Sequence, residues 1–341
     1  MVYRVKRDPV IDDNRVLRVD RMRVTTLSPD FAGIGADATH GYVAGGNISG
    51  PTDTNVIQRF AFASDGNSSD VGDLTQDIVQ AAPSNSSTHG YVAGGQTFPP
   101  TVVQDVIQKY AFGSSSNATD VGDLVEGRFE GGSGNQSLTH GYVSGGRDNV
   151  PSGNALDTIE RYPFSSDTNA SDVGELTDPR RSPAYGCTSS EDHGYTASGR
   201  NAPGPTVYNM IDKFPFATAT TNATDVGDLT QAGHSASTSV SQTHGYVAGR
   251  RLSPSSVSNV IDKFSFATDG NATDVGDLLS TSHAHGAGIS SSGHGYVAGG
   301  TLAPSTAFKD VIQKYPFSSD ANSSDVGDLL AGNRNACGNQ G

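Results

Sequence analysis

A short string reading Thr-His-Gly-Tyr-Val-Ala-Gly-Gly occurs six times, with small changes, along this chain of 341 residues. A second string, Asp-Val-Gly-Asp-Leu, follows each copy and recurs from Asp70 onward. Self-similarity at a period of about 50 residues means that each unit is one supersecondary structure, which buries its apolar face only against its neighbours. The chain is therefore expected to form six stacked units. The histidines that mark them are His40, His89, His140, His193, His244 and His294.

Each unit is predicted to contain four short strands. A small, polar strand precedes the histidine, a second strand ends at Gly-Gly, a third is rich in β-formers, as in Val56–Phe62, and a fourth contains Val-Gly-Asp-Leu. Gly, Asn, Asp, Ser and Pro separate these runs, and no window has a sustained helical period. Four antiparallel strands per unit are typical of a propeller blade. We therefore predict an all-β fold, a six-bladed β-propeller with small residues at its axis and aromatic residues between blades.

The order of these elements carries a resemblance. A strand ending in Gly-Gly, a variable loop, an aromatic strand and a Gly-Asp-Leu turn resemble the kelch repeat, and Arg128 and Arg181 stand twelve residues before a histidine, where kelch units often have arginine. The kelch tryptophan is missing, and Val71 lies near its place. Over residues 31–341 the chain is more similar to kelch-like repeat proteins of marine bacteriophages, which occur in virions and tail fibres.

That resemblance implies a non-enzymatic structural protein located in the virion, of tail-fibre or spike type. One face of the propeller would then contact the host surface or another virion protein. Two alternatives remain open at this point. One is a cellular kelch-like scaffold or adhesion module, and the other is a capsid- or tail-attached decoration protein with no receptor role.

Residues 1–28 match no blade and are predicted to form an extended docking arm before the propeller of residues 29–341, with an unstructured basic tail as the alternative. The arm has seven Lys or Arg and four Asp, a balance of +3, whereas the whole chain carries -14. It resembles the segment near the attachment point of phage tail-fibre proteins, which implies contacts with other virion proteins and homo-oligomers. The short basic run with few aromatics disfavours nucleic-acid binding. The candidate docking residues are Arg4, Lys6, Arg7, Arg15 and Arg18.

Two segments compete for the first strand of blade 1. Residues 31–37 and residues 333–339 both have the small, polar character of that strand, and the C-terminal segment is the slightly better candidate. Cys187 and Cys337 would then lie in first strands on opposite sides of the axis. A disulfide needs Cα atoms within about 7 Å, so both are predicted to be free thiols.

The repeated polar residues are interpreted as scaffold. Six histidines at one strand position in separate blades form a ring and cannot converge on a tetrahedral metal. A catalytic site needs different groups that meet once, so the prediction is no enzyme, no metal and no cofactor. The turn from Asp65 to Asp73 carries oxygen ligands at alternate positions, which makes calcium the alternative, but turn chemistry explains it more simply. The same holds for the Asn-x-Ser/Thr sequons at Asn67, Asn117, Asn169, Asn222, Asn271 and Asn322.

The loop after Gly-Gly differs from unit to unit, and meander connectivity places all six of these loops on one face. Repeat proteins commonly bind through such loops, although loops under no constraint also vary. We expect this face to bind a host surface glycan, a receptor or a virion protein. No apolar run approaches the roughly 18 residues of a membrane span, so no membrane insertion is expected. The candidate binding residues are Phe98, Arg147, Arg200, Tyr208, Arg250, Arg251 and Phe308.

Overall fold

The computed structural model describes residues 38–49, 52–99, 101–130, 133–148, 153–202, 204–217, 220, 222–253, 256–279, 284–301 and 307–341. Strands and turns account for these residues, among which no helix occurs and so none of membrane-spanning length. The proposed arm, residues 1–28, and the segment 31–37 lie outside them.

The strands of the first three blades come first in chain order. They are β1 (His40–Ala44), β2 (Asn47–Ser49), β3 (Thr52–Asp53), β4 (Val56–Ala61), β5 (Ser69–Asp73), β6 (Ala82–Asn85), β7 (His89–Ala93), β8 (Gln96–Thr97), β9 (Val102–Val103), β10 (Val106–Ala111), β11 (Thr119–Asp123), β12 (Ser133–Gln136), β13 (His140–Ser144), β14 (Thr158–Pro163) and β15 (Ser171–Glu175).

The second half of the chain forms the other three blades and ends in one additional strand. These strands are β16 (His193–Ala197), β17 (Tyr208–Pro215), β18 (Thr224–Gly233), β19 (Ser237–Val240), β20 (His244–Ser253), β21 (Ser256–Ser265), β22 (Thr273–Asp277), β23 (Ala287–Ser290), β24 (His294–Ala298), β25 (Val311–Pro316), β26 (Ser324–Asp328) and β27 (Cys337–Gln340).

Six antiparallel sheets make up the blades of a β-propeller, which confirms the predicted fold. Five sheets have four strands, as in the order β12-β13-β14-β15, and the sheet of blade 4 has three. The first strands are fully buried and pack against one another in ring order, so they line the axis. In blade 4, the segment 184–189 takes this place without forming a regular strand.

The C-terminal strand closes the ring. β27 pairs antiparallel with β1, with Ala44 opposite Cys337 and Gly41 opposite Gln340. The first blade is thus assembled from both ends of the propeller domain, and the C-terminal segment supplies its innermost strand, as the sequence slightly favoured.

Aromatic residues fill the interfaces between blades, as predicted. In every interface the tyrosine of His-Gly-Tyr lies against a phenylalanine of the next blade, with ring centroids 4.6 to 4.9 Å apart. The glycine before this tyrosine leaves room for an aromatic ring of the third strand in its own blade, because a Cβ on Gly41 would lie 2.4 Å from the ring of Phe60. The six pairs are Tyr42–Phe112, Tyr91–Phe164, Tyr142–Phe216, Tyr195–Phe266, Tyr246–Phe317 and Tyr296–Phe62.

The turns between third and fourth strands join the blades on the opposite face from the variable loops. Asp70 accepts a hydrogen bond from the backbone of Gly72, whose φ of +152° suits glycine. The sequon asparagines lie in these turns, and the Oδ1 atom of each accepts a hydrogen bond from the preceding blade at 2.9 to 3.2 Å. Their side chains therefore connect neighbouring blades, and so have a structural use.

The axis is packed with polar groups. Along the first strands, the backbone N–H of Asn85 donates to Gln136 in the next blade, and that of Gln340 donates to Asn85. Cys187 of blade 4 donates to the carbonyl oxygen of Pro83 in blade 2 at 3.2 Å, so non-adjacent blades meet at this level. Cys187 and Cys337 are both buried and both free, as predicted.

Candidate binding face

The face that carries the variable loops, called the loop face below, is built from concentric sets of residues. The outer set immediately follows the Gly-Gly position, and the next set lies in the connection that leads to the first strand. The two sets pair by an antiparallel bridge in every blade. These bridges are Asn47–Arg334, Val79–Gln96, Phe129–Arg147, Arg181–Arg200, His234–Arg251 and Ala284–Thr301.

An innermost set adjoins the axis. Its six residues have positive φ values between 49° and 66°, which places the chain in the left-handed region at the same point of each repeat. Five of the six donate a backbone hydrogen bond to the carbonyl oxygen of the corresponding residue in the preceding blade. The fold thus fixes six backbone positions around the axis while leaving the side chains variable. The residues are Gln80, Glu130, Ser182, Ser235, His285 and Asn335.

Three arginines converge on one carboxylate at this face. Glu130 lies 2.8 Å from Arg181, 3.4 Å from Arg147 and 3.5 Å from Arg200, measured between guanidinium nitrogen and carboxylate oxygen. These residues come from blades 3 and 4. The four side chains are between 12% and 32% exposed, so the group adjoins solvent. Three positive charges share one negative charge.

Two further arginines extend this group. Arg334 stacks over the ring of Phe308, with 4.4 Å from its Cζ atom to the ring centroid, and its Nε donates to Asn47. Arg251 donates from Nε to the carbonyl oxygen of Ser253. We call Arg147, Arg181, Arg200, Arg251 and Arg334 the arginine cluster.

The pKa values of two histidines reflect both their burial and the local excess of positive charge. Burial lowers the pKa of His234 to about 3, and the charge on Arg200, Arg251 and Arg181 contributes in the same direction. Burial also lowers the pKa of His285 to about 3, with Arg334, Arg251 and Arg200 acting alongside. Both imidazoles are therefore neutral at pH 7. In a chain of net charge -14, positive charge is concentrated here.

Buried ion pairs lie beneath the cationic side of the face. In blades 3, 4 and 5 an arginine pairs with a carboxylate of the third strand, and both side chains are at most 2% exposed. In the other three blades the third strand has a buried neutral glutamine at this position. Burial alone would disfavour each charge, so the arginine and the acid occur together. The pairs are Arg128–Glu160, Arg180–Asp212 and Arg250–Asp262.

One predicted binding residue is corrected by this arrangement. Arg250 was expected on the exposed loop, yet it is fully buried, with Nη2 2.6 Å from Asp262. Arg250 replaces the second glycine of the Gly-Gly pair, and its side chain fills the space beside Gly233. A Cβ added to Gly233 would lie 2.9 Å from the Cγ atom of Arg250. Arg128 and Arg180 fill the corresponding space from the connecting segment. The structure thus makes Arg128 equivalent to Arg180. The shared spacing of twelve residues to the following histidine would pair Arg128 with Arg181 instead.

The other candidate residues of the loop face are spread more widely. Arg147, Arg200 and Arg251 belong to the arginine cluster, and Phe308 lies beneath Arg334. Phe98 is 46% exposed in the loop of blade 2. Tyr208 is partly buried, with Arg180 positioned over its ring at 5.8 Å. The candidate docking residues Arg4, Lys6, Arg7, Arg15 and Arg18 lie outside the described residues.

Sequence reasoning missed Arg181, Glu130, Arg334, His234 and His285 as members of the face. They stand in the segment between the fourth strand of one unit and the first strand of the next, outside the variable loops that follow Gly-Gly. A comparison of the six units at this position could have found them, because the residues there differ in charge from one unit to the next.

The repeated histidines make local hydrogen bonds. Nδ1 of His40 lies 2.8 Å from Oγ1 of Thr39, and three other units repeat this contact. In the turn considered for calcium, Asn67 and Asp70 accept backbone hydrogen bonds and Asp65 pairs with Lys314. Within the described part of the chain, no three His, Cys, Asp or Glu side chains are grouped as metal ligands would be.

Comparison with known proteins identifies the fold. No family model matches the chain, and no curated protein matches its sequence. Among solved structures, the chain is similar to one titled "Structure of YjhT", with a TM-score of 0.65 and 14% sequence identity, covering 85% of this chain and 98% of the other. At this identity the similarity concerns the fold alone. The chain has the fold of a six-bladed β-propeller, which is consistent with a binding or scaffold module.

Proposed function

We propose that this protein is a non-enzymatic binding module that recognises its partner through the loop face. The observation that carries this proposal is the division of the repeat. Residues shared by all six units form the interfaces and turns, whereas the residues at the base of the loop face differ in charge between units and bring three arginines around Glu130. A pure scaffold has no need for such asymmetry, because six equivalent units close the ring without it.

We further propose that the module belongs to a phage virion, as a tail-fibre or spike component whose arm of residues 1–28 docks on another virion protein. The resemblance to phage repeat proteins and the basic character of the arm support this assignment. A cellular adhesion module would have the same propeller without a virion partner. The proposed ligand is a saccharide or receptor of the host surface, and neither a metal nor a cofactor takes part.

Mass spectrometry of purified particles from a phage that encodes this chain tests the virion assignment. We expect the protein in the particles, and expect that removal of residues 1–28 abolishes its incorporation while the soluble propeller still folds. Absence of the protein from particles that infect normally would refute the virion assignment and leave the binding module untouched.

The use of the loop face is tested with the full chain on cells or a glycan array. Replacing residues 98–101 of the blade 2 loop, together with the tips of the other five loops, by Gly and Ser should abolish adsorption. The matched control replaces the exposed Ser114 and Ser115 on the opposite face by Gly and should leave adsorption unchanged. Unaltered adsorption of the loop variant would show that this face is not the binding surface.

A further inference from the structure

The arginine cluster has more donors than its own carboxylate can satisfy. Among the residues that the structure describes, the buried Nε groups of Arg181 and Arg200 have no hydrogen-bond partner, while Glu130 is shared among three guanidinium groups. Burial, together with the nearby charges of Arg200 and Arg147, lowers the pKa of Arg181, and Glu130 opposes this. Because three guanidinium groups lie within 3.5 Å of the same carboxylate, they also repel one another, and an additional anion would relieve this repulsion.

The geometry of the donors selects the type of anion. A guanidinium group presents a planar fork of N–H donors that matches the oxygens of carboxylate, sulfate or phosphate. Arg147 and Arg200 are 27% and 32% exposed, so an incoming oxyanion can reach them from solvent. The carboxylate of Glu130 already lies within 3.5 Å of all three guanidinium groups, so an anion of this type fits among them.

The extent of the cluster argues for a compact ligand. Arg147, Arg181 and Arg200 all lie within 3.5 Å of the carboxylate of Glu130, so these three form a local group. Nucleic-acid binding usually requires phosphate contacts along an extended basic surface. A single acidic group at the end of a saccharide needs only a local cluster.

We propose that the arginine cluster is a binding site for the oxyanion of an acidic saccharide, with Arg147, Arg181 and Arg200 as direct ligands and Glu130 as an internal counter-ion that competes for them. Arg251 and Arg334 add positive charge at the same face. This inference rests on the proposed function, because it assumes that the loop face is the binding surface, and it specifies the ligand's chemical class.

Titration calorimetry with the full chain tests the proposal. The probes are a galacturonic acid tetramer, its uncharged methyl ester and a sulfated galactose oligomer of similar length, which separate carboxylate from sulfate as the source of the anion. At least one charged probe should bind, and the methyl ester of the tetramer should not. Affinity should fall as salt concentration rises.

Two substitutions with opposite expected signs make the test specific. Arg200→Gln should weaken binding by about tenfold or more, as expected for loss of a charge-assisted hydrogen bond. Glu130→Gln keeps the size and an acceptor of the side chain but removes the competing charge, so it should strengthen binding. Arg161→Gln, which removes one positive charge from the third strand of blade 3, is the control for the loss of charge and should change little. Circular dichroism melting confirms that each variant is folded.

Several results would overturn this inference. One is equal binding of the tetramer and its methyl ester, another is loss of affinity in Glu130→Gln, and a third is tighter binding of a short single-stranded DNA than of either acidic saccharide. If an uncharged saccharide binds and the Gly/Ser loop variant abolishes that binding, the proposed function stands while the arginine site is refuted. If no probe binds and the loop variant adsorbs normally, both are refuted.

Discussion

The side chain of Asn67 in blade 1 accepts a hydrogen bond from the backbone N–H of Asp328 in blade 6, with 3.1 Å between Oδ1 and N. These residues are 261 positions apart in sequence, yet the bond is equivalent to the one that joins Asp73 to Asn117 in consecutive blades. The interface that closes the ring thus repeats the contacts of the others.

This equivalence predicts the effect of removing the asparagine. Asn67→Ala should lower the free energy of unfolding by about 1 kcal/mol, the usual net worth of such a hydrogen bond. Asn117→Ala removes the same bond between consecutive blades and should cost a similar amount if the ring unfolds as one unit. Urea denaturation followed by circular dichroism measures both, and no loss in either variant would contradict the structural use of these asparagines.

Removal of residues 337–341 should have a much larger effect. β27 is the innermost strand of blade 1, and without it the buried Tyr42 and Val43 lie on an unpaired edge next to the axis. We expect loss of the cooperative thermal transition and self-association on size-exclusion chromatography. A truncated chain that melts as the full chain does would show that another segment can close the ring.

The buried ion pair of blade 3 predicts a strongly coupled pair of substitutions. Glu160→Gln should destabilise the protein by about 3–5 kcal/mol, because Arg128 would remain charged and buried without a carboxylate to balance its charge. Adding Arg128→Ile gives blade 3 the isoleucine and glutamine that blade 2 has at the same two positions, Ile78 and Gln108. The double variant should therefore regain most of the stability. A double-mutant cycle measured by denaturant unfolding checks this, and additive losses would contradict it.

The histidines at the loop face predict a loss of stability in acid. In the folded protein the pKa of His234 is about 3, whereas an unfolded histidine has a pKa near 6.5. Below about pH 6.5 the unfolded chain therefore binds a proton that the folded chain does not, so stability falls as the pH decreases towards 3, by about 2 kcal/mol at pH 5 for this residue. His234→Gln should reduce the pH dependence by that amount in unfolding measured at about pH 7 and about pH 5. A variant with the same pH dependence as the parent would refute this assignment. His40→Gln is the comparison variant, because burial also lowers the pKa of His40 but its ring is only partly buried, so its effect should be smaller.

Both thiols should be unreactive in the folded state. Cys187 and Cys337 are buried, each donates to a carbonyl oxygen, and burial raises the pKa of both thiols. Since the thiolate is the reactive form, a thiol-specific reagent should label neither cysteine at about pH 8 until denaturant is added. Rapid labelling of the native protein, or a disulfide on a non-reducing gel, would contradict this.

The repeat by itself determined the number of blades, the order of strands, the aromatic interfaces and the small residues at the axis. These features repeat with the same spacing, because each unit must present the same surfaces to its neighbours. The free cysteines also followed, since the ring places their strands on opposite sides of the axis.

Only the tertiary structure decided which side chains meet at the loop face. Arg250 and Arg251 are adjacent in sequence and look equivalent, yet Arg250 turns inward to Asp262 because Gly233 leaves space for it. Glu130 and Arg200 lie 70 positions apart and meet because the connections of neighbouring blades converge near the axis. The repeat determines the path of the backbone in every blade. The direction of a single side chain depends on nearby space and charge, which residues outside its own repeat unit help to supply.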